Sequence, residues 1–304
     1  MIVPEQPGQT LRGCELCNST IARELYTARD RLGNSDIAFQ IVECLTCGAM
    51  RTLPEMTERE LSTFYTEDYW GEEEPTQKWI ERSQSEKTDF FQKCEPVAGR
   101  ILDVGCGSGF FLRALDTGKW DRYGVEISTE AARLAARSLG ADHILSGTLL
   151  EAQFEESFFD VISFWSSLEH TNEPRASLIR ARKIIKPDGT LIIQVPNAAS
   201  YQSRMFKGDW FALDVPRHRY HFSYERLAGL LAETGFDIYL TTFRSKSHNS
   251  HALRQSLKSR LRGKGSGIFG QTAFLLSIPF LKPFDNLMSR QAKGATITLA
   301  ARAI

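Results

Sequence analysis

The spacing of hydrophobic positions changes near residue 100 of the chain. Beyond it, short apolar runs alternate with stretches in which apolar residues recur with the period of a helix. Such alternation is typical of an α/β fold, in which crossover helices join the strands of a parallel sheet. The predicted helices begin near Gly109, Ser128, Pro174 and Ser223. The predicted strands cover residues 100–104, 122–126, 142–145, 159–164, 189–195, 237–243 and 295–302.

The residues before this point follow another pattern. Two strand-like stretches, 21–28 and 37–42, are separated by turn residues and predict a β-hairpin. Thr57 precedes a short helical pattern and has Glu60 three residues later, which is the arrangement of a capping box. A longer helix is expected over residues 76–94.

Composition and charge narrow the class of protein. The chain has 304 residues, 37 basic and 37 acidic side chains, and 42% hydrophobic residues, which excludes a disordered chain or a disulfide-stapled miniprotein. The charge is uneven, because residues 1–75 carry a net charge of −8 and residues 238–304 a net charge of +10. The acidic N-terminal part argues against nucleic-acid binding through that end.

No segment predicts export or insertion into a membrane. The first ten residues contain Glu5 and no basic stretch followed by an apolar run, unlike a secretory signal. No apolar run reaches about 18 residues, the length that a membrane-spanning helix needs. We therefore expect a soluble, cytoplasmic protein.

Two CxxC pairs are separated by 26 residues that include the predicted hairpin. Disulfides are rare in the cytoplasm, so this arrangement favours tetrahedral zinc; a redox role is the alternative. Asn18 and Gly48 each follow the second cysteine of a pair, and both residue types tolerate the left-handed backbone of such turns. Four thiolates leave no position for water, which predicts a structural Zn²⁺ site in a ribbon-like module. The predicted ligands are Cys14, Cys17, Cys44 and Cys47.

The predicted strand 100–104 runs into a glycine-rich turn and then into a helix. Glycines let the backbone approach a ligand closely, and a helix N-terminus follows them. A dinucleotide-binding GxGxxG motif would need a third glycine where Phe110 stands, so the motif is GxGxG preceded by an acid. The next strand ends at Glu126, where a carboxylate can accept hydrogen bonds from both hydroxyls of a ribose. The residues of the turn are Asp103, Gly105, Gly107 and Gly109.

With these motifs, residues 100–243 resemble the class I S-adenosylmethionine-dependent methyltransferases. Four further segments resemble the members related to ubiquinone biosynthesis and to bacterial envelope glycan modification. The resemblance implies a doubly wound sheet of seven strands, mostly parallel, with the last strand antiparallel. The four segments are Leu168-Glu169-His170, Lys186-Pro187-Asp188-Gly189, Val195-Pro196-Asn197 and the run from Asp214 to Ser223.

The resemblance also implies the cofactor and its contacts. S-adenosylmethionine would donate the methyl group, with Asp103 and the three glycines around its methionine part and Glu126 on its ribose. Adenine contacts in this family follow the third strand, here at Thr148 and Leu149, although the Asp that many relatives have there is missing. The expected domains are a zinc module (1–55), a helical linker (56–98), a methyltransferase domain (99–243 with 295–304) and an insertion (244–294).

Methyl transfer to a hydroxyl needs in-line approach and usually a base that removes the proton. Histidines on loops at the carboxyl edge of the sheet suit this role. Each histidine also has a structural alternative: His170 can cap a helix, and His218 and His221 can support the turn at Pro216. A metal site shared by His218 and His221 is a further alternative. Asp214 is placed to orient one of the imidazoles. The candidate catalytic residues are therefore His170, His218, His221 and Asp214.

Residues 244–294 are far longer than an ordinary connection between strands. They begin with seven basic side chains and continue with an apolar stretch rich in Phe and Leu. This combination suits peripheral contact with an anionic membrane. A helical lid over the active site explains it equally well, and RNA binding is a third interpretation.

The sequence therefore predicts O- or C-methylation of a glycan, a nucleotide-sugar or a lipid-linked small metabolite. After the fourth strand, Trp165-Ser166-Ser167 lacks the Asn/Asp-Pro-Pro-aromatic loop of enzymes that methylate exocyclic amines. The alternatives are an RNA methyltransferase that uses the basic tail and a non-catalytic scaffold of the same fold. The sequence gives no indication of oligomeric state.

Overall fold

A computed structural model describes residues 13–33, 37–65, 77–262 and 283–304. The chain divides into two compact units. The N-terminal residues share a unit with two later segments. The domain boundaries expected at residues 55, 98 and 243 stay a prediction. Unit 1 consists of Met1–Trp79, Pro196–Arg226 and Phe243–Ile297, and unit 2 of Ile80–Val195, Leu227–Thr242 and Thr298–Ile304.

The strands and helices of the described residues are numbered in chain order. The strands are β1 (Ala22–Arg29), β2 (Ala38–Cys44), β3 (Met50–Leu53), β4 (Gly99–Val104), β5 (Trp120–Glu126), β6 (Ile144–Ser146), β7 (Phe159–Trp165), β8 (Ile185–Pro196), β9 (Tyr220–His221), β10 (Phe236–Thr242) and β11 (Thr296–Ala303). The helices are α1 (Glu58–Ser62), α2 (Gln77–Lys93), α3 (Phe110–Arg113), α4 (Thr129–Leu139), α5 (Pro174–Ile184), α6 (Tyr201–Phe206), α7 (Tyr224–Glu233) and α8 (Asn249–Arg262). Residues 283–290 are also helical.

The larger sheet has seven strands in the order β10-β11-β8-β7-β4-β5-β6. The pairs β7–β8, β4–β7, β4–β5 and β5–β6 are parallel, whereas β10–β11 is antiparallel. This confirms the predicted α/β fold with a mostly parallel, seven-stranded sheet. Parallel strands place their carboxyl ends on one edge, so the loops after β4, β5 and β7 meet there.

Local sequence signals account for where most helices begin. The Ser128 hydroxyl accepts a hydrogen bond from the Ala131 N–H at the start of α4, and the Ser223 hydroxyl does the same for Arg226 at the start of α7. The predicted strand 142–145 is shifted, because Ala141–His143 form a 3₁₀ turn and β6 begins only at Ile144.

The core of unit 2 lies against the central strands, whose residues are almost wholly buried. Strands covered on both faces are rich in apolar residues throughout, and most of β7 and the second half of β8 have this composition. Aromatic side chains from α2 and α3 pack edge-to-face with tryptophans of the sheet. The aromatic core members are Phe90, Phe91, Phe111, Trp120 and Trp165.

Unit 1 contains a four-stranded antiparallel sheet in the order β1-β2-β3-β9. The strands β1 and β2 form the predicted hairpin, whereas β3 was not predicted. Helix α1 follows with the predicted capping box between Thr57 and Glu60. The fourth strand comes from more than 160 residues later, where Met50 pairs with His221 and Arg51 with Tyr220. A strand of two residues has no recognisable hydrophobic period, so the sequence did not predict β9.

The region predicted as a lid or membrane contact is described only in part. Its basic beginning forms α8, whose Leu253 joins a core of unit 1 that includes Phe39, Ile41, Phe206 and Trp210. The apolar stretch between residues 263 and 282 lies outside the described residues. Within the described parts of the chain, no helix combines the length and the apolar composition that crossing a membrane requires.

Candidate functional site

The GxGxG turn connects the end of β4 to α3, and all three of its glycines have a positive φ angle. A Cβ atom on Gly105 would lie 2.5 Å from the Ser167 Cβ, so this position accepts glycine alone. A Cβ on Gly107 would meet nothing within 4 Å. The turn therefore has an open face above Gly107, which is the space that a ligand close to the backbone would occupy.

Glu126 ends β5 and connects this turn to α4. One carboxylate oxygen accepts the N–H of Gly107 at 2.8 Å, and the other accepts the N–H of Ser128 at 2.8 Å. Each oxygen keeps a second lone-pair direction for a hydroxyl donor. The carboxylate thus holds the turn in place and can still accept hydrogen bonds from a ligand.

Asp103 is 2% exposed, and its carboxylate accepts a hydrogen bond of 2.7 Å from the Ser163 hydroxyl. Burial raises the pKa of Asp103 to about 7, while the Lys87 ammonium and the Ser163 hydroxyl act in the opposite direction. Burial in turn lowers the pKa of Lys87. This pair of opposite charges lies at the carboxyl end of β4, beside the glycine turn.

Lys87 was not predicted as a site residue, although its position on the helix contains a signal. On α2, Ser83 and Phe90 are buried, and Lys87 falls on the same helical face, four residues after Ser83 and three before Phe90. A lysine in a buried stripe is costly unless it has a charged partner. Lys87 also lies over the Trp165 ring, with its Nζ 5.7 Å from the ring centroid.

The residues after β7 close the other side of the turn. Ser166 adopts a left-handed conformation, and the Ser167 hydroxyl donates to the Val104 carbonyl oxygen at 2.5 Å. Trp165 is buried, and its indole N–H has no hydrogen-bond partner among the described residues. A buried, unsatisfied donor beside Lys87 and Asp103 is consistent with a site built to receive a polar ligand.

The predicted adenine contacts follow β6. The N–H of Gly147 donates to the Glu126 carbonyl oxygen at 2.9 Å, which holds this loop against the end of β5. The Thr148 hydroxyl donates to the Glu151 carboxylate at 2.8 Å, and Leu149 is 3% exposed. The structure therefore places Thr148 and Leu149 beside the Glu126 backbone, and their role toward adenine stays a prediction.

The four candidate catalytic residues fall in different units. His170 ends a 3₁₀ turn that follows β7 in unit 2 and is half-buried. Asp214, His218 and His221 belong to unit 1, together with the N-terminal sheet. Their catalytic roles stay predictions.

Asp214 has partners closer than any imidazole. Its Oδ1 accepts from Arg31 Nε at 2.7 Å and from Arg217 Nη2 at 2.7 Å, whereas its Oδ2 is 4.0 Å from His218 Nε2. The two guanidinium groups hold the pKa of Asp214 well below its usual range, despite burial, which acts in the opposite direction. Arg217 is fully buried and also donates to Asp30 at 2.6 Å. This network was not predicted, because its partners from the two segments are more than 180 residues apart in the sequence.

The two candidate histidines of unit 1, His218 and His221, have different hydrogen bonds. His218 Nδ1 lies 3.0 Å from the Ala212 carbonyl oxygen. His221 Nε2 lies 2.9 Å from the Thr52 hydroxyl, and burial lowers the pKa of His221 to about 4. At neutral pH His221 is therefore an uncharged imidazole.

The four cysteines of the two CxxC pairs converge in unit 1. Their sulfur atoms all lie within 4.8 Å of one another, with 3.7 Å between Cys14 and Cys47 and 3.5 Å between Cys17 and Cys44. A zinc–sulfur distance of about 2.3 Å places tetrahedral sulfurs about 3.8 Å apart, so the cluster fits Zn²⁺. Asn18 has a positive φ angle, as the turn after the first pair requires.

Comparisons with known proteins concern the part of the chain that carries the glycine turn. A family model described as a methyltransferase domain matches residues 76–241. The ubiquinone biosynthesis O-methyltransferase of Ralstonia nicotianae is 27% identical over 164 residues, which cover 50% of this chain and 68% of that protein. The enzyme of the same description from Photobacterium profundum is 28% identical over 141 residues, 44% of this chain and 60% of that protein.

A solved structure supports the same fold. It is a chain of the complex between the Haloferax volcanii Trm112 methyltransferase activator and its candidate methyltransferase, with 15% sequence identity and a TM-score of 0.51. The match covers 78% of this chain and 96% of that one. Because the family model covers more than half of the residues and its span contains the glycine turn and Glu126, the chain belongs to the methyltransferase-domain family and is an S-adenosylmethionine-dependent methyltransferase.

Proposed function

We propose that this protein transfers a methyl group from S-adenosylmethionine to a hydroxyl oxygen of a small metabolite. The observation that carries the proposal is the similarity of about half of this chain to ubiquinone biosynthesis O-methyltransferases. Those enzymes match only part of this chain, so the acceptor is proposed as a class: a glycan, a nucleotide-sugar or a lipid-linked small metabolite. A carbon acceptor is the second possibility within the same chemistry.

In the proposed complex, Glu126 contacts the ribose of the cofactor, and Asp103 and Lys87 contact its methionine end. When bound, S-adenosylmethionine supplies a methyl group on a positively charged sulfur. Glu126 would accept the ribose hydroxyls, since each of its oxygens has a lone pair left after binding the backbone. Asp103 and Lys87 would meet the ammonium and the carboxylate of the methionine end, which carry complementary charges.

On the acceptor side, the proposed role of this chain is to remove a proton. A hydroxyl becomes strongly acidic as its oxygen bonds to the methyl carbon, so a neutral imidazole within hydrogen-bond reach is sufficient as a base. His170, His218 and His221 are the candidates. The zinc ion proposed for the four cysteines would be structural, because four thiolates fill its coordination shell.

The experiment that tests the function uses a labelled cofactor. Purified protein is incubated with deuterated-methyl S-adenosylmethionine and fractions of a small-molecule and lipid extract, and the products are compared by mass spectrometry and NMR. Glu126→Ala serves as the inactive control. Glu130→Ala is the matched control, because Glu130 is an exposed glutamate that pairs with Arg133 on the same helix, α4.

The expected product contains a labelled methyl carbon bonded to oxygen, formed by the wild-type protein and by Glu130→Ala. Label bonded to nitrogen would overturn the proposed acceptor class. Label transfer that does not exceed the Glu126→Ala background in any fraction, RNA fractions included, would favour the non-catalytic scaffold.

A further inference from the structure

Unit 2 has a cavity at the amino edge of its parallel strands, opposite to the edge that carries the glycine turn. Its volume is about 710 Å³, and all of its lining residues belong to this unit. Arg100 lies at the start of β4, Lys119 directly precedes β5, and Lys186 lies at the start of β8. Gly105 follows Arg100 by five residues, about 17 Å at the usual rise of about 3.3 Å per strand residue. The cavity is therefore separate from the glycine turn.

Positive charge is in excess around this cavity. Among the described residues that line it, four permanent cations face two carboxylates, which leaves a net charge of +2. His143 adds another positive charge when it is protonated. The cations are Arg100, Lys119, Arg122 and Lys186, and the carboxylates are Asp121 and Asp160.

Asp160 is bound through both of its oxygens. Its Oδ2 accepts the backbone N–H of Arg100 at 2.8 Å, and its Oδ1 accepts from Lys186 Nζ at 2.7 Å. A Cβ atom on Gly99 would lie 2.1 Å from Asp160 Oδ2, so the carboxylate fills the space beside the start of β4. Asp160 and Lys186 thus neutralise each other and form part of the cavity wall.

Asp121 only partly neutralises its neighbours. Its Oδ2 accepts from the Tyr123 hydroxyl at 3.0 Å and lies 4.0 Å from Arg100 Nε, while its Oδ1 lies 3.7 Å from His143 Nε2. Distances of 3.7 and 4.0 Å are longer than hydrogen bonds, so Arg100 and His143 keep donors for another acceptor. The Arg100 guanidinium is held over the Phe158 ring, 4.1 Å from its centroid.

The remaining two cations have no carboxylate beside them. In the ranges that the structure describes, neither Lys119 nor Arg122 forms an ion pair. Arg122 Nη1 donates to the Leu112 carbonyl oxygen at 3.3 Å, which leaves the guanidinium with further N–H donors. Available donors with excess positive charge around a concave surface are what an anion requires.

We propose that this cavity binds a small molecule that carries a diphosphate group. A diphosphate is a compact polyanion with many acceptor oxygens, and Arg100, Lys119 and Arg122 offer donors from two neighbouring strand beginnings. Sites for small molecules have volumes of about 300–1,000 Å³, so the cavity has the size that such a ligand needs. The exposed Asp116 and Asp142 are adjacent in sequence to lining residues and would repel a long polyanion such as RNA. The inference does not depend on the proposed function.

Titration calorimetry of the full chain with inorganic diphosphate tests the proposal, with sulfate at equal ionic strength as the reference anion. We expect diphosphate to bind more tightly than sulfate, and its affinity to fall as salt is added. Lys119→Gln and Arg122→Gln should each weaken diphosphate binding at least about fivefold. Lys93→Gln is the matched control, because Lys93 is an exposed lysine of unit 2 outside the cavity. Lys119 is also exposed, so Lys119→Gln decides the question if Arg122→Gln fails to fold.

Two other places where diphosphate could bind are the glycine turn and the basic residues of α8. Repeating the titration with saturating S-adenosylhomocysteine distinguishes the first, and the diphosphate affinity should stay within about twofold. Loss of diphosphate binding in that titration places the probe at the glycine turn and overturns the proposal. Equal affinities of Lys119→Gln and Lys93→Gln place the probe outside the cavity and overturn it as well, as does the absence of diphosphate binding.

The class of ligand is tested with uridine diphosphate, uridine and a short single-stranded RNA. Uridine shares no base with the cofactor, so these probes do not imitate adenine. We expect uridine diphosphate to bind at least as tightly as inorganic diphosphate and uridine not to bind. An RNA that binds more tightly than uridine diphosphate, and that loses affinity in Lys119→Gln, would overturn the choice of a small ligand.

Discussion

Removing the Glu126 carboxylate should weaken cofactor binding without unfolding the protein. The side chain is 9% exposed at the end of β5 and accepts the backbone N–H groups of Gly107 and Ser128. In the proposed complex its two oxygens also accept the two ribose hydroxyls. Glu126→Ala therefore removes ligand contacts and loosens the turn that shapes the site.

The size of the effect follows from these contacts. A hydrogen bond to a charged group contributes about 1.5–3 kcal/mol, and about 1.4 kcal/mol corresponds to a tenfold change in affinity. Losing one ribose contact at the lower limit already costs about tenfold, and losing both costs about a hundredfold or more. Glu126→Gln keeps one acceptor oxygen and loses the charge, so its affinity should be intermediate.

Titration calorimetry with S-adenosylhomocysteine measures this directly, since no acceptor is needed. Glu130→Ala is the matched control and should bind like the wild type, because Glu130 is exposed and pairs with Arg133 on the surface of α4. The melting temperature without ligand reports the loss of the Gly107 and Ser128 contacts separately. If folded Glu126→Ala binds within about twofold of the wild type, the carboxylate only holds the turn and the ribose assignment is wrong.

Three further predictions concern the metal, the base and the membrane. Purified protein should contain about one zinc ion per chain, and elemental analysis that finds iron or no metal contradicts this. The variant Cys44→Ser should lose the zinc ion, and its N-terminal sheet, including β9, should become disordered. Its affinity for S-adenosylhomocysteine should stay unchanged. In the variant that removes the base, the turnover rate should fall about 10²–10⁴-fold while cofactor still binds. Near-normal rates in all three alanine variants would leave only positioning roles for these histidines. The variants are His170→Ala, His218→Ala and His221→Ala. In a vesicle sedimentation assay, residues 244–294 should cause the protein to sediment with anionic but not with neutral vesicles, because each basic side chain near an anionic surface contributes about 1 kcal/mol. The sedimented fraction should decrease at high salt. Protein that stays in the supernatant with both kinds of vesicle favours a lid over the active site.

The features that the sequence predicted are those encoded over short distances along the chain. The GxGxG turn needs positive φ angles at Gly105, Gly107 and Gly109, which only glycine adopts easily, so the motif is visible in the sequence itself. The apolar runs of the parallel strands are equally local, because a strand covered on both faces needs apolar residues throughout. The capping box of Thr57 and Glu60 is contained in four residues.

Other features depend on residues that meet only in three dimensions. Lys87 lies on α2 and Asp103 on β4. Their opposite charges compensate each other only because α2 packs beside the end of β4. The buried network of Asp30, Arg31, Asp214 and Arg217 joins the first and the second chain segment of unit 1. Burial and charge pairing are properties of the packed protein, so the sequence cannot show them.

The sequence by itself determined the mostly parallel α/β fold and the motifs that predict a cofactor turn and a four-cysteine metal site. Only the tertiary structure decided that β9 pairs with β3, and so that the sheet carrying the cysteines also carries His221. The physical reason is that β9 has two residues and no pattern of its own. Its position is stabilised by backbone hydrogen bonds, by the Thr52 hydroxyl and by the Arg219 guanidinium, whose partners lie more than 160 residues away.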